Sequence, residues 1–180
     1  RDGFKRMKFS PSCHTDQLRC LAIVPVFNER DAIAKLVRHL QRALPGFDVL
    51  VVDDGSTDDT VQQVPAGAVV VRLPFNLGIG GAMQTGYRYA AQNGYDVAVQ
   101  VDGDGQHRPS EVLRLVEQLV KTDADLVVGS RFKESGKYRQ SFSRMLGSWL
   151  LRRLLCLMTG QDISDCTSGF FGLMGLAWPR

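Results

Sequence analysis

The alternation of apolar runs and polar loops along the chain predicts strands and helices in turn. Mostly apolar runs rich in β-branched residues, at 20–26, 47–52, 68–73, 96–101 and 125–128, have the length and character of buried parallel strands. Between the first two runs, apolar residues recur at helical spacing at Ile33, Leu36, Val37, Leu40 and Leu44. Further helices are predicted at about 59–64, 82–92 and 112–120. This order of elements predicts an α/β fold, a parallel sheet with helices on both faces.

Polar clusters follow the first four predicted strands, each at the strand's carboxyl end. They are Asn28-Glu29, Asp53 to Asp58, Asn76 to Gly78, and Asp102 to His107. The carboxyl ends of parallel strands share one edge of a sheet, so we expect these clusters to converge on a ligand. We also expect Ser56 or Thr57 to cap the short helix that follows the second strand.

The fourth cluster places two carboxylates, Asp102 and Asp104, one residue apart at the end of a buried strand. Mg²⁺ in proteins commonly binds one or two carboxylates together with substrate phosphates. A polar turn is the alternative, because Asp-Gly is a common turn dipeptide. A calcium EF-hand is excluded by register: His107 stands where the loop needs glycine, and Leu113 where it needs glutamate.

The glycines do not form a dinucleotide-binding fingerprint. The first loop lacks Gly-x-Gly-x-x-Gly, and Gly78-x-Gly80 lacks the third glycine, at Met83. The remaining candidate residues are acidic. Their carboxylates can accept hydrogen bonds from the N–H and hydroxyl groups of a base or ribose. The candidates are Glu29, Asp53, Asp54 and Asp102. A diphosphate would instead be met by Mg²⁺ and by Arg131, so the inferred ligand is a nucleotide joined to a diphosphate.

Composition narrows the class of protein. Of the 180 residues, 44% are hydrophobic and 23% charged, as in ordinary globular proteins, and a net charge of +3 does not by itself indicate nucleic acid. Basic residues concentrate between Ser130 and Arg153, which indicates a phosphate-bearing partner or an anionic membrane surface, or else a solvated basic face. No run reaches the roughly 18 apolar residues of a membrane span, and neither a zinc-type cysteine pattern nor a secretory signal is present, which favours a cytoplasmic setting. We expect a flexible lead-in at 1–19 and one domain at 20–180.

Four motifs in order resemble family 2 glycosyltransferases of the GT-A fold, nearest to the dolichyl- or polyprenyl-phosphate sugar synthases. They are Pro25-Val26-Phe27-Asn28-Glu29, Val52-Asp53-Asp54-Gly55-Ser56-Thr57-Asp58, Asn76-Leu77-Gly78, and Asp102-Gly103-Asp104-Gly105-Gln106-His107-Arg108-Pro109. The resemblance covers about residues 20–175. Relatives usually continue through further helix and membrane segments beyond the point matching Arg180, which leaves open that this sequence is a fragment.

The resemblance implies a role for each candidate residue. The donor would be bound by Pro25, Asn28, Glu29, Asp54, Asn76, Gly78 and Asp102. From the basic segment, Arg139 and Arg144 are added as candidates for positioning an acceptor phosphate. Mg²⁺ or Mn²⁺ would be ligated by Asp102, Asp104 and Gln106. The candidate catalytic residues are Arg131, in the segment that contacts donor or acceptor phosphate, and Asp165, in an acidic motif near the acceptor.

The resemblance therefore implies a metal-dependent, inverting glycosyltransferase that moves a sugar from a nucleoside diphosphate to an acceptor, which we expect to be polyprenyl phosphate at the cytoplasmic face of a membrane. Two alternatives remain open. One is transfer to a hydroxyl of a cell-surface glycan, with Asp165 as the base. The other is a nucleotide-sugar-binding module without turnover. The sequence identifies neither the base, the sugar, the acceptor nor the oligomeric state.

Overall fold

The computed structural model describes residues 18–102, 109–122, 124–129 and 171–174. Within them, six strands form one sheet in the order β3-β2-β1-β4-β6-β5. The strands are β1 (Cys20–Val26), β2 (Phe47–Asp53), β3 (Ala68–Arg72), β4 (Val97–Gln100), β5 (Leu126–Val128) and β6 (Phe171–Met174). The helices are α1 (Ile33–Ala43), α2 (Gly78–Gln92) and α3 (Pro109–Thr122). The predicted α/β class with a mostly parallel sheet is confirmed.

Strand β1 lies in the centre of the sheet because it can be buried on both faces. Its alternate residues enter two separate cores: Ala22 and Val24 belong to one, Leu21 and Ile23 to the other. Helices α1 and α3 cover the first core and α2 covers the second. Helices therefore flank both faces, as the strand pattern predicted.

The sheet differs from an all-parallel one at its β4 side. Strands β1 to β4 pair in parallel, whereas β6 pairs antiparallel with both β4 and β5. The prediction included no strand at β6, which is only four residues long and contains Gly172. A side chain at that glycine would overlap Leu115 and Leu119 of α3, so its absence lets α3 pack directly on β6.

Three helix predictions differ from the structure at their boundaries. The helix predicted at about 112–120 extends further at both ends, as α3 (Pro109–Thr122). Helix α2 begins at Gly78, four positions before the predicted start. The prediction began too late because the glycine-rich run Gly78 to Gly81 is typical of a loop. The predicted short helix at 59–64 is a single 3₁₀ turn at Val61–Gln63.

The first described residues already contact the domain, although the sequence assigned them to the lead-in. Leu18 is buried in the first core, and the Arg19 backbone N–H donates to Asp96 Oδ2 at 2.8 Å. The Arg19 guanidinium lies 4.7 Å from the centre of the Tyr95 ring. Residues 1–17 lie outside the described range. Within the described range, no helix has both the length and the apolar character needed to cross a bilayer.

Candidate donor-binding site

The carboxyl ends of the parallel strands lie level with one another, which brings their polar loops to one edge of the sheet. Val26 pairs with Asp53, and Asp53 pairs with Arg72 on the next strand. Backbone hydrogen bonds continue past the strand ends: the Asp54 N–H donates to the Val26 carbonyl at 2.8 Å, and the Leu73 N–H donates to the Asp53 carbonyl at 2.8 Å. The loops after β1, β2 and β3 are therefore neighbours.

Asn28 ties the first loop to the second. Its backbone has φ of +55°, a left-handed conformation that asparagine tolerates better than most residues. Its N–H donates to Ser56 Oγ at 2.9 Å, and its side-chain Oδ1 accepts the Thr57 N–H at 2.9 Å and the Thr57 hydroxyl at 3.3 Å. The expected cap by Ser56 or Thr57 is thus wrong: the 3₁₀ turn has no side-chain cap, and both hydroxyls contact Asn28 instead.

Glu29 adds a second tie between the same loops. Its N–H donates to Thr60 Oγ1 at 2.8 Å, while its carbonyl accepts the N–H groups of Ala32 and Ile33 as α1 begins. Thr60 is fully buried, and its hydroxyl donates to Asp58. That hydrogen bond lowers the pKa of Asp58 below its ordinary value. The Glu29 side chain itself is exposed at the edge, as is that of Asn28, and Pro25 beneath them is partly buried.

The two adjacent aspartates at the end of β2 have different partners. Asp53 is fully buried, and its Oδ1 accepts the Ser56 N–H at 3.1 Å while its Oδ2 lies 3.2 Å from Arg72 Nε as an ion pair. Asp54 is 4% exposed, and its Oδ1 accepts the Leu77 N–H at 2.7 Å. The second and third loops are therefore joined by the carboxylate-to-backbone hydrogen bond from Leu77 to Asp54.

Glycines allow the second and third loops to approach closely. Gly55 has φ of +76°, and a Cβ atom there would lie 2.8 Å from the Phe75 carbonyl carbon and 2.9 Å from the Asn76 nitrogen. In the third loop Asn76 Oδ1 accepts the Gly78 N–H at 3.0 Å, and Gly78 also has φ of +76°. The exposed Asn76 side chain thus shapes its own loop at the start of α2.

Asp102 lies at the same edge, at the end of β4. The strand continues past its last paired residue, since the Val101 N–H donates to the Ile23 carbonyl at 2.9 Å. Asp102 is partly exposed, and its Oδ1 accepts a hydrogen bond of 2.9 Å from Nε2 of the buried Gln100. The Asp102 carboxylate is therefore oriented by the side chain of Gln100, which is itself buried.

Several candidate residues lie outside the described range. They are Asp104, Gln106, Arg131, Arg139, Arg144 and Asp165. Among the described residues, no group of three or more histidines, cysteines, aspartates or glutamates is arranged to hold a metal ion. Of the three predicted metal ligands only Asp102 is described, so the proposed ligand set remains a prediction.

Sequence reasoning missed three residues that organise this edge, Thr60, Arg72 and Gln100, and assigned Ser56 a different role, as a helix cap. Arg72 carried a usable signal, because Asp53 follows the apolar run Val49 to Val52 and a buried carboxylate needs a cation or several donors nearby. The hydrogen bonds from the first loop to the hydroxyls of Ser56 and Thr60 left no signal in the sequence, because the residues that they join are 28 to 31 positions apart.

Comparison with known proteins identifies the family. The model of glycosyl transferase family 2 matches residues 21–175. The chain belongs to glycosyl transferase family 2. Undecaprenyl-phosphate mannosyltransferase of Micrococcus luteus is 38% identical over 160 residues, covering 85% of this chain and 65% of that protein. Polyprenol monophosphomannose synthase of Mycolicibacterium smegmatis is 33% identical over 168 residues, covering 84% of this chain and 60% of that protein.

The family 2 chain thus spans less than two-thirds of these relatives' length. Among solved structures, glucosyl-3-phosphoglycerate synthase from Mycobacterium tuberculosis, in complex with Mn²⁺, uridine diphosphate and phosphoglyceric acid, matches with a TM-score of 0.64. The match covers 88% of this chain and 56% of that one at 24% identity, and it confirms the expected GT-A fold.

Proposed function

We propose that this domain binds a nucleoside-diphosphate sugar at the carboxyl edge of its sheet and transfers the sugar to the phosphate of a polyprenyl phosphate. The observation that carries the proposal is the convergence of the buried Asp54 and the oriented Asp102 at that edge, in a family 2 chain. The acceptor is proposed from the two relatives, one named as an undecaprenyl-phosphate mannosyltransferase and the other as a polyprenol monophosphomannose synthase.

The nucleotide would occupy the pocket between the first three loops. In this proposal Pro25, Asn28 and Glu29 line one wall, and Asp54 faces the base. Asn76 and Gly78 close the pocket from the third loop. The hydrogen bonds that join these loops support the assignment, because a pocket already held in shape loses less entropy when a ligand binds.

A divalent cation fits the chemistry of the residues after β4. Asp102, Asp104 and Gln106 offer carboxylate and amide oxygens, the donors that Mg²⁺ and Mn²⁺ prefer. The hydrogen bond from Gln100 orients one of those donors, Asp102, at the ligand edge. When bound, the cation would neutralise negative charge on the departing diphosphate.

The basic segment 130–153 would position the acceptor. An acceptor phosphate is already anionic near neutral pH, so it needs positioning more than deprotonation, and Arg131, Arg139 and Arg144 are the proposed contacts. One phosphate oxygen forms a bond to the anomeric carbon as the bond to the donor's β-phosphate oxygen breaks. The nucleoside diphosphate departs with that electron pair, so a single displacement inverts the anomeric configuration. These arginines would also draw the protein to the cytoplasmic face of an anionic membrane.

The donor half of the proposal is tested by ligand-induced stabilisation. UDP-, GDP- and dTDP-sugars are screened with Mn²⁺ in a thermal-shift assay, because a ligand at 100 times its Kd adds about 2.7 kcal/mol to the free energy of unfolding. Asp104→Ala should abolish metal-dependent donor binding and leave the melting temperature without ligand unchanged. Glu117→Ala, which removes an exposed carboxylate from α3, is the control. Unchanged metal dependence in Asp104→Ala would contradict the ligand assignment.

The acceptor half is tested by a pair of substitutions in the basic segment. Arg139→Gln together with Arg144→Gln should impair transfer to polyprenyl phosphate far more than donor binding. The pair should also weaken sedimentation with anionic liposomes, by about 1 kcal/mol for each residue at low salt. The matched control changes Arg38 and Arg42, two exposed arginines of α1, to glutamine.

Two other outcomes would redirect the assignment. A neutral arginine pair, combined with a dominant loss in Asp165→Asn on a soluble glycan, would indicate a hydroxyl acceptor with Asp165 as its base. Donor binding with no release of nucleoside diphosphate would indicate a binding module.

A further inference from the structure

We infer that Arg72 is a positioning residue for nucleotide binding, which it serves by holding residues 53–57 in the conformation that shapes the first loop. The inference rests on the proposed function, because it takes the pocket between the first three loops as the nucleotide site. Arg72 ends β3 and lies outside all four motifs that carry the family resemblance. Its side chain is 57% exposed, so burial does not force it into the contacts that it makes.

One guanidinium group contacts both ends of the turn that follows β2. Arg72 Nε lies 3.2 Å from Oδ2 of the fully buried Asp53, and Arg72 Nη2 donates to the Ser56 carbonyl at 2.9 Å. Asp53 Oδ1 also accepts the Ser56 N–H. The arginine therefore closes a ring of contacts around the turn. Its planar guanidinium fork donates a hydrogen bond to the Ser56 carbonyl and pairs with Asp53 through charge, because Asp53 Oδ2 accepts no hydrogen bond from the residues that the structure describes.

The segment that Arg72 contacts, residues 53–57, also fixes the position of the first loop. Ser56 Oγ accepts the Asn28 N–H, and the Thr57 N–H and hydroxyl donate to Asn28 Oδ1. Asn28 needs such support because its left-handed backbone is intrinsically unfavourable for a residue with a side chain. Loss of the Arg72 contacts should therefore displace Asn28 and Glu29, two residues of the proposed pocket, although Arg72 need not touch the ligand.

Two effects of Arg72 can be separated by substitution. The first is charge compensation, since an unpaired carboxylate at Asp53 would be costly in the core. The second is the bridge to the Ser56 carbonyl. Asp53→Asn combined with Arg72→Gln removes both charges and keeps an oxygen that can accept the Ser56 N–H, but it lacks the bridge. Arg72→Lys keeps the charge and has a single nitrogen in place of the fork.

The experiment compares four variants: Arg72→Gln, Arg72→Lys, the double variant, and Arg38→Gln as a control for loss of an exposed arginine. Affinity for UDP and GDP is measured by titration calorimetry without metal, and stability by thermal unfolding. Arg72→Gln should weaken the better-bound nucleotide about 10- to 100-fold, the range for a lost hydrogen bond to a charged group. Arg38→Gln should change it by less than about twofold.

The double variant decides between positioning and mere stabilisation. We expect it to recover the melting temperature lost in Arg72→Gln while nucleotide affinity stays low, and Arg72→Lys to retain stability with reduced affinity. Nucleotide affinity that returns with stability in the double variant, or wild-type affinity in Arg72→Lys, would overturn the inference.

Hydrogen exchange separates this inference from the proposed function. Without ligand, the amides of Asn28, Ser56 and Thr57 should exchange faster in Arg72→Gln and in the double variant than in wild type. Unchanged exchange would overturn the positioning role. Should the wild-type protein bind neither these nucleotides nor UDP-, GDP- or dTDP-sugars with Mn²⁺, the proposed function fails, and the exchange rates still determine whether Arg72 orders the two loops.

Discussion

Replacing Gly55 with alanine should destabilise the protein more than the same change at Gly46. Both glycines have left-handed backbones, with φ of +76° and +91°, so alanine at either is strained by about 1–2 kcal/mol. At Gly46 the new Cβ would meet nothing within 4 Å. At Gly55 it would lie 2.8 Å from the carbonyl carbon and 3.0 Å from the Cα of Phe75, and 2.9 Å from the Asn76 nitrogen.

Those three atoms are backbone, so no side-chain rotation relieves the overlap at Gly55. Overpacking of this kind costs about 1–3 kcal/mol, which brings the expected loss in Gly55→Ala to about 2–5 kcal/mol. Urea unfolding followed by circular dichroism gives both free energies, provided that the slope m is the same in the two variants. The difference between them isolates the steric contribution of the loop contact. Equal destabilisation by the two substitutions would show that the second and third loops do not meet as closely as described.

Two further predictions concern a carboxylate at the ligand edge and a phenol near the opposite edge. Asp54→Asn keeps an oxygen that can accept the Leu77 N–H but removes the charge, so nucleoside monophosphate binding without metal should weaken by about 1–3 kcal/mol; wild-type affinity would place the base elsewhere. Burial, reinforced by a hydrogen bond to Asp48, raises the pKa of Tyr95 from 10.0 to about 12. The stability that this neutral phenol contributes is complete below pH 10 and lost as the pH rises toward 12, so Tyr95→Phe should lose less stability than wild type across that interval.

The strands of the sheet were largely predictable because burial on both faces leaves a continuous apolar run. Strand β1 matches its prediction at both ends, Cys20–Val26, for that reason. Strand β6 was not predictable in this way. It is short, it contains Gly172, and its place in the sheet follows from antiparallel pairing with β4 across more than 70 positions of sequence. Local patterns carry no information about such a partner.

The location of the candidate site was predictable from the sequence, whereas the hydrogen-bond partners of its individual side chains were not. Parallel topology alone brings the polar loops to one edge, and the structure shows the loops after β1, β2 and β3 joined there. Which hydroxyl or carboxylate meets which amide depends on loop geometry that short-range patterns do not encode. Ser56 and Thr57 illustrate this, since their expected role as helix caps is replaced by contacts to Asn28.

A family motif therefore contains residues that shape the pocket and residues that would touch the nucleotide, and sequence alone does not separate the two. In Asn28 both functions would meet in one side chain: its Oδ1 accepts hydrogen bonds from Thr57, and its exposed side chain lies at the edge where we propose that the nucleotide binds. Asp53 contributes to the loops alone, because it is fully buried and its carboxylate contacts Ser56 and Arg72. Loss of nucleotide binding on mutation would thus be expected at both positions, for different physical reasons. Only a measurement that reads loop order without ligand, such as amide exchange, distinguishes a residue that shapes the pocket from one that touches the nucleotide.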